Sequence, residues 1–140
     1  MTTAGEVHRR IVELYPQLLA TGQMDEALAL IDPDVIDHRG GAAGDHHGLR
    51  AWREKWELMR SGETGFHDLS VTVEQNVSDE ERSANVYLSR GTHTASGRRY
   101  EVRGLDMIRV RDGRIVEHWA VMDATARRHQ LGLDDRRRDQ

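Results

Sequence analysis

The sequence predicts an α+β domain in which helices lie across one face of a curved antiparallel sheet. Three observations carry that prediction. Apolar residues recur at helical spacing along the N-terminal part, and after Ser61-Gly62 the period changes to that of strands rich in Val, Ile, Thr and Tyr. The connections between those strands, residues 78–81, 95–97 and 112–113, have hairpin length, which favours a meander. With 140 residues the chain suits one core and leaves little for a second.

The first helix is predicted over residues 6–19, where Val7, Ile11, Val12, Leu14, Tyr15, Leu18 and Leu19 form the apolar face. Pro16 removes one backbone donor, so a kink or a restart is expected near Tyr15. A short second helix over 25–31 is expected to stop at Asp32-Pro33. Val35-Ile36-Asp37-His38 then leads into a loop carrying Gly40, Gly41, Gly44 and Gly48 around Asp45-His46-His47. A third helix over 49–60 places Trp52, Trp56 and Met59 on one stripe. Strands follow over 66–77, 83–94, 100–110 and 114–122. One domain is expected over 1–132, with a charged tail over 133–140.

Composition excludes several classes of function. A net charge of −4, from 20 basic and 24 acidic residues without a long basic stripe, does not describe a nucleic-acid surface. The absence of cysteine removes disulfides, thiolate nucleophiles and Cys-based zinc sites, and suits a reducing compartment. No apolar stretch has membrane-spanning length and the N-terminus lacks a secretory pattern, so a soluble, cytoplasmic protein with no membrane partner is expected.

The chemistry-bearing positions lie around the last hairpin. Asp112-Gly113 between alternating runs is a strong turn signal, because both residues tolerate positive φ. Asp106 and His118 interrupt the otherwise apolar strands on either side, and a buried carboxylate needs a partner such as an imidazole. Together they form a candidate acid–base dyad, or else a hydrogen bond that only fixes packing. The ordinary titration range of an imidazole straddles neutral pH, which makes His118 a candidate for proton transfer. Asp37 and His38, where helix gives way to loop, are candidates for hydrogen-bonding a substrate carbonyl or for holding the loop. Tyr15, Trp52, Trp56, Met59 and Tyr87 either line a pocket or are plain core. His93 reads as a cap at a strand end. Asp45, His46 and His47 lack the spaced, rigid presentation of zinc motifs, so no metal is expected there. Arg127-Arg128 and Arg136-Arg137-Arg138 read as a solvated face and tail.

Asp112-Gly113-Arg114-Ile115 followed by Glu117-His118-Trp119, together with Gln130-Leu131-Gly132, Gly91-Thr92-His93 and Asp37-His38, resembles the SnoaL-like polyketide cyclases over residues 6–132. These belong to the nuclear transport factor 2-like superfamily of cone-shaped α+β barrels. The resemblance implies an apolar pocket between helices and concave sheet, and intramolecular aldol ring closure without a metal or organic cofactor. It implies that Tyr15 matches an aromatic pocket position on the first helix. The family's catalytic aspartate on the last strand falls on Ala120, with Asp123 three residues further on, and its partner position on the preceding strand falls on Asp106.

A strict two-residue turn would pair Asp106 with Trp119 and send His118 to the opposite face. A one-residue bulge, expected at Gly113, instead puts Asp106, His118 and Ala120 on one face, as the resemblance implies. Gly104, Asp106, Ile108, Val116, His118, Ala120 and Met122 are then expected to face the pocket, with Ile115, Trp119 and Val121 on the outer face. Such an outer face needs cover, and a homodimer would supply it.

The expected function is a cofactor-independent cyclase or isomerase acting on a small hydrophobic substrate, either by acid–base chemistry or by holding a reactive chain folded. The alternatives are a non-catalytic binding or dimerising module of the same fold, and a hydratase or epoxide hydrolase that activates water.

Overall fold

A computed structural model describes residues 2–39 and 44–133. Helix α1 (Ala4–Thr21) begins with a capping box, in which Thr3 accepts from the Glu6 backbone and Glu6 reaches back to the Thr3 N–H. It ends at Gly22, where φ of 78° permits the cap bond from its N–H to the Leu18 carbonyl. The helix runs through Pro16 without a break. Its apolar residues on both sides of the proline, from Val7 to Leu19, pack on the same core, and that burial outweighs the ~3 kcal/mol that an internal proline costs.

Helix α2 (Asp25–Leu28) is shorter than expected, and Ile31 already opens strand β1 (Ile31–His38). Ile31 is fully buried and pairs with Ile115. The Asp32 side chain accepts from the Asp34 N–H beside Pro33, and the register shift between Ile31 and Ile36 absorbs this turn, so the proline sits inside the strand rather than ending a helix. Residues 45–47, expected in a loop, form β2 (Asp45–His47), paired antiparallel with β1. Gly40 and Gly41 lie outside the described residues.

Helix α3 (Leu49–Ser61) carries Trp52 and Trp56 into the core. The meander follows as β3 (Phe66–Ser78), β4 (Arg82–His93), β5 (Arg99–Arg111) and β6 (Arg114–Met122), and α4 (Ala124–Gln130), absent from the sequence reading, closes the described chain. The strand order is β2-β1-β6-β5-β4-β3, with β1 parallel to β6 and every other pairing antiparallel. The result is the α+β cone predicted above, with one sheet wrapped around the helices.

The last hairpin differs from its expected form. Asp112 and Gly113 have φ of 53° and 74° and are flanked by the pair Arg111–Arg114, which is a two-residue turn of the primed type. The bulge lies three residues later, at Val116, between the pairs Val110–Ile115 and Arg109–Glu117. It brings Asp106 opposite Ala120 and Ile108 opposite His118. Ile115 therefore turns inward, 1% exposed in the core, and does not lie on the outer face. Val116, the extra residue, does not line the cavity. Leu105 and Val121, register partners on the outer face, are 51% and 68% exposed.

Two apolar clusters form. The larger joins α1, α2 and α3 to Ile108, Val110 and Ile115, and the smaller joins Tyr100, Val102 and Leu131 to Phe66, Met122 and Ala126. A cavity is bounded by members of both.

Candidate active site

The cavity has a volume of about 470 Å³. Tyr15 from α1, Trp52, Trp56 and Met59 from α3, Tyr87 from β4, and Ala120 and Met122 from β6 line it, as do Asp106 and His118. Helical spacing explains the two helical walls. His8, Ile11, Val12 and Tyr15 repeat at i, i+3, i+4 and i+7 on α1, and Trp52, Lys55, Trp56 and Met59 repeat in the same way on α3. Each apolar stripe thus contains one residue able to carry positive charge, His8 in the first and Lys55 in the second. Both were missed in the sequence, although a charge-capable side chain inside an apolar stripe is the signal that marks them.

On the sheet wall, glycine makes room for tyrosine. A Cβ on Gly104 would lie 2.5 Å from the ring of its register partner Tyr87, so the ring lies flat over the glycine. Burial first, with the nearby Asp106 charge adding, pushes the Tyr87 phenol up to about 12, so it remains a neutral donor. Burial likewise raises the Tyr15 phenol, whose hydroxyl lies 3.9 Å from the Met59 sulfur.

The polar wall is a chain of hydrogen bonds through His118. Its Nδ1 is 2.8 Å from Asp37 Oδ1 and its Nε2 is 3.3 Å from Asp106 Oδ2. Both contacts are met when the ring carries two hydrogens. Trp52 meets the imidazole edge-on at 5.0 Å. Asp37 is 3% exposed, and its Oδ2 accepts from Arg39 Nε and Lys55 Nζ, each at 2.8 Å. Burial alone would raise this carboxyl, but the bonds from His118, Lys55 and Arg39 outweigh it and hold Asp37 well below the usual carboxylate range.

Asp106 Oδ2 also takes a bond from His8 Nε2 at 2.9 Å. His8 is 2% exposed, and its Nδ1 lies 2.7 Å from Ser83 Oγ, which in turn accepts from Asn76. When Ser83 donates to Nδ1, a neutral ring carries its hydrogen on Nε2, toward Asp106; Asn85 Nδ2 lies 3.1 Å from the same Nε2. Burial opposes ionisation of Asp106, yet the hydrogen bonds from His118 and His8 hold its pKa at about 2. Among the described residues Asp106 Oδ1 makes no hydrogen bond.

The structure separates the Asp37-His38 pair. Neither residue lines the cavity. Asp37 lies behind His118, while His38 turns to the opposite face, stacks on Trp119 at 4.9 Å and bonds Glu117 at 2.8 Å. Successive residues of β1 point to opposite faces, which separates the pair, and both side chains stay out of the cavity lining. The bond to Glu117, with Asp45 adding, raises the His38 imidazole above its ordinary value. Asp123 caps α4 by accepting from the Ala126 N–H. His93 bonds Ser96 in its turn, as its cap reading expected. Arg127, read from sequence as solvated, instead lies over the Phe66 ring at 4.3 Å and lines the cavity. The tail arginines, residues 136–138, lie outside the described residues. No group of three or more His, Asp or Glu among the described residues is placed to hold a metal ion. No described helix is long and apolar enough to cross a membrane.

The chain resembles several proteins of known structure. Wild-type IdmH from Streptomyces antibioticus, described as a candidate polyketide cyclase, is 33% identical, with a TM-score of 0.74 over 91% of this chain and 99% of that one. A SnoaL-like polyketide cyclase from Agrobacterium tumefaciens is 22% identical, with a TM-score of 0.76 over 94% of this chain and all of that one (100%). An isomerase candidate from Rhodopseudomonas palustris shares the fold at 17% identity, with a TM-score of 0.75 over 90% and 96% of the two chains. No curated protein matches at the same stringency. The model of the SnoaL-like polyketide cyclase family matches residues 9–131, and with this span, fold and cavity the chain belongs to that family.

Proposed function

We propose that the protein closes a ring in, or isomerises, a hydrophobic polyketide-type intermediate held in the cavity, with Asp106 moving the proton and His118 hydrogen-bonding the substrate carbonyl. The supporting observation is that one imidazole links a buried, fully paired carboxylate, Asp37, to a cavity-lining one, Asp106, in an otherwise largely aromatic and aliphatic chamber. Asp37 orients the ring through Nδ1 so that Nε2 faces Asp106. Asp106 remains ionised throughout the neutral range and is the base.

The reaction balances with these groups alone. The Asp106 carboxylate takes a proton from carbon beside a substrate carbonyl while the Nε2 hydrogen of His118 bonds to that carbonyl oxygen. The enolate carbon bonds to a second carbonyl of the same chain, and the new alkoxide oxygen receives the proton from Asp106. A C–H bond is broken, C–C and O–H bonds form, and the product is an isomer. The aromatic walls hold the chain so that the reacting carbons meet. Ala120, directly opposite Asp106 in register, leaves the carboxylate on β5 as the base in place of one on β6.

Turnover of candidate polyketides tests this reading. Asp106→Asn and His118→Ala are expected to lose on the order of 10²- to 10⁴-fold in kcat while keeping the circular dichroism of the native fold. Retention of the compound by native mass spectrometry without turnover, in the wild type, would instead support a binding module. The same proposal includes a second copy of the chain over Leu105 and Val121. Sedimentation should show a dimer that the double variant Leu105→Glu, Val121→Glu converts to monomer.

A further inference from the structure

The Asp37 cluster brings together more hydrogen-bond donors than its carboxylate takes up. Arg39 and Lys55 both bond the single Oδ2 of Asp37, and His118 takes Oδ1. The other nearby carboxylate, Asp106, is bonded by His8 and His118. Arg39 alone already bonds Asp37 Oδ2 as a cation, so Lys55 is not needed to satisfy that oxygen. Lys55 Nζ makes its one hydrogen bond among the described residues to Asp37, and it sits 3.6 Å over the face of Trp52. Two of its three N–H donors therefore have no acceptor there. The side chain lines the cavity together with His118 and Asp106. Leaving two donors of an ammonium group unpaired in a largely apolar wall costs free energy unless a ligand supplies acceptors for them.

We propose that Lys55 binds the negatively charged oxygen of an enolised substrate, so that the cavity selects molecules bearing an acidic 1,3-dicarbonyl group. This rests on the cyclase-type reading above and names the chemical class of its substrate. Lys55 and His118 are tethered to one carboxylate and present donors to the same chamber. The oxygen that gains charge as Asp106 removes a proton is stabilised by a fixed cation, which strengthens in the transition state. Burial pulls the Lys55 ammonium below its ordinary value against the pull of Asp37, and an incoming anion relieves that penalty.

Calorimetric titration of the full chain with two flat bicyclic probes tests the assignment. 4-Hydroxycoumarin carries an acidic enol that is ionised at neutral pH, and coumarin lacks it. The wild type is expected to bind 4-hydroxycoumarin at least about tenfold more tightly than coumarin. Lys55→Met should bring the two within about threefold of each other, and Lys55→Arg should keep the preference. If the Met variant does not fold, Lys55→Gln, which keeps a donor without the charge, answers the same question. A preference that survives loss of the lysine charge, no preference in the wild type, or binding of neither probe would overturn the assignment. Such a failure leaves the cyclase reading standing if Asp106→Asn and His118→Ala still abolish turnover; loss of the preference on removing Lys55, in a wild type that turns over no polyketide, would sink the cyclase reading alone.

Discussion

Asp106 shows how far neighbours can move a carboxyl group. Two imidazoles donate to one of its oxygens and hold its pKa at about 2, below the ordinary 3.8, despite burial. A carboxyl depressed in the folded state contributes stability that is fully present above the unfolded value and lost as pH falls through the folded one. Its share, about 2 kcal/mol, is therefore expected to disappear between roughly pH 4 and pH 2. Urea unfolding at pH 6 and pH 2.5 checks this. Asp106→Asn should flatten the fall, and Asp37, held lower still by His118, Lys55 and Arg39, contributes to the slope that remains. His8→Gln removes one of the two imidazoles and should move the acid limb to higher pH. Asp106 and His118 were legible in the sequence because each interrupts an apolar strand. Their partners were harder to find: His8 lies 98 residues from Asp106, and no local pattern connects them.

At the scale of elements, local periodicity revealed what local forces determine. Helices α1 and α3 and strands β3 to β6 follow from apolar spacing, and their observed ends lie within two residues of those read from sequence. Strand β1 escaped because its regularity is broken at Asp32-Pro33 and its main partner, β6, is parallel and distant along the chain. The bulge was foreseen in its effect and misplaced in position: a glycine suggested residue 113, whereas Val116 bears it. The unbroken α1 shows tertiary packing overriding a proline. Pro16→Ala is expected to restore one intrahelical bond and raise unfolding free energy by about 1–3 kcal/mol, measured by chemical denaturation.

At the scale of the molecule, the cavity exists because the sheet curls around the helices and small residues face large ones across its strands. Gly104 opposite Tyr87 and Gly91 opposite Tyr100 follow one rule, since a Cβ at either glycine would lie within 2.7 Å of the facing ring. Gly104→Ala should therefore tip the Tyr87 ring into the chamber, costing about 1–3 kcal/mol in stability and reducing occupancy by large ligands more than by small ones. Thermal melts and a ligand size series read the two effects separately. The parallel seam between β1 and β6 has its own consequence for biosynthesis. It joins Asp37 to His118 across 81 residues, so a chain emerging from the ribosome carries the aspartate long before its imidazole exists. A nascent chain that stops short of His118 leaves this buried carboxylate without its imidazole partner.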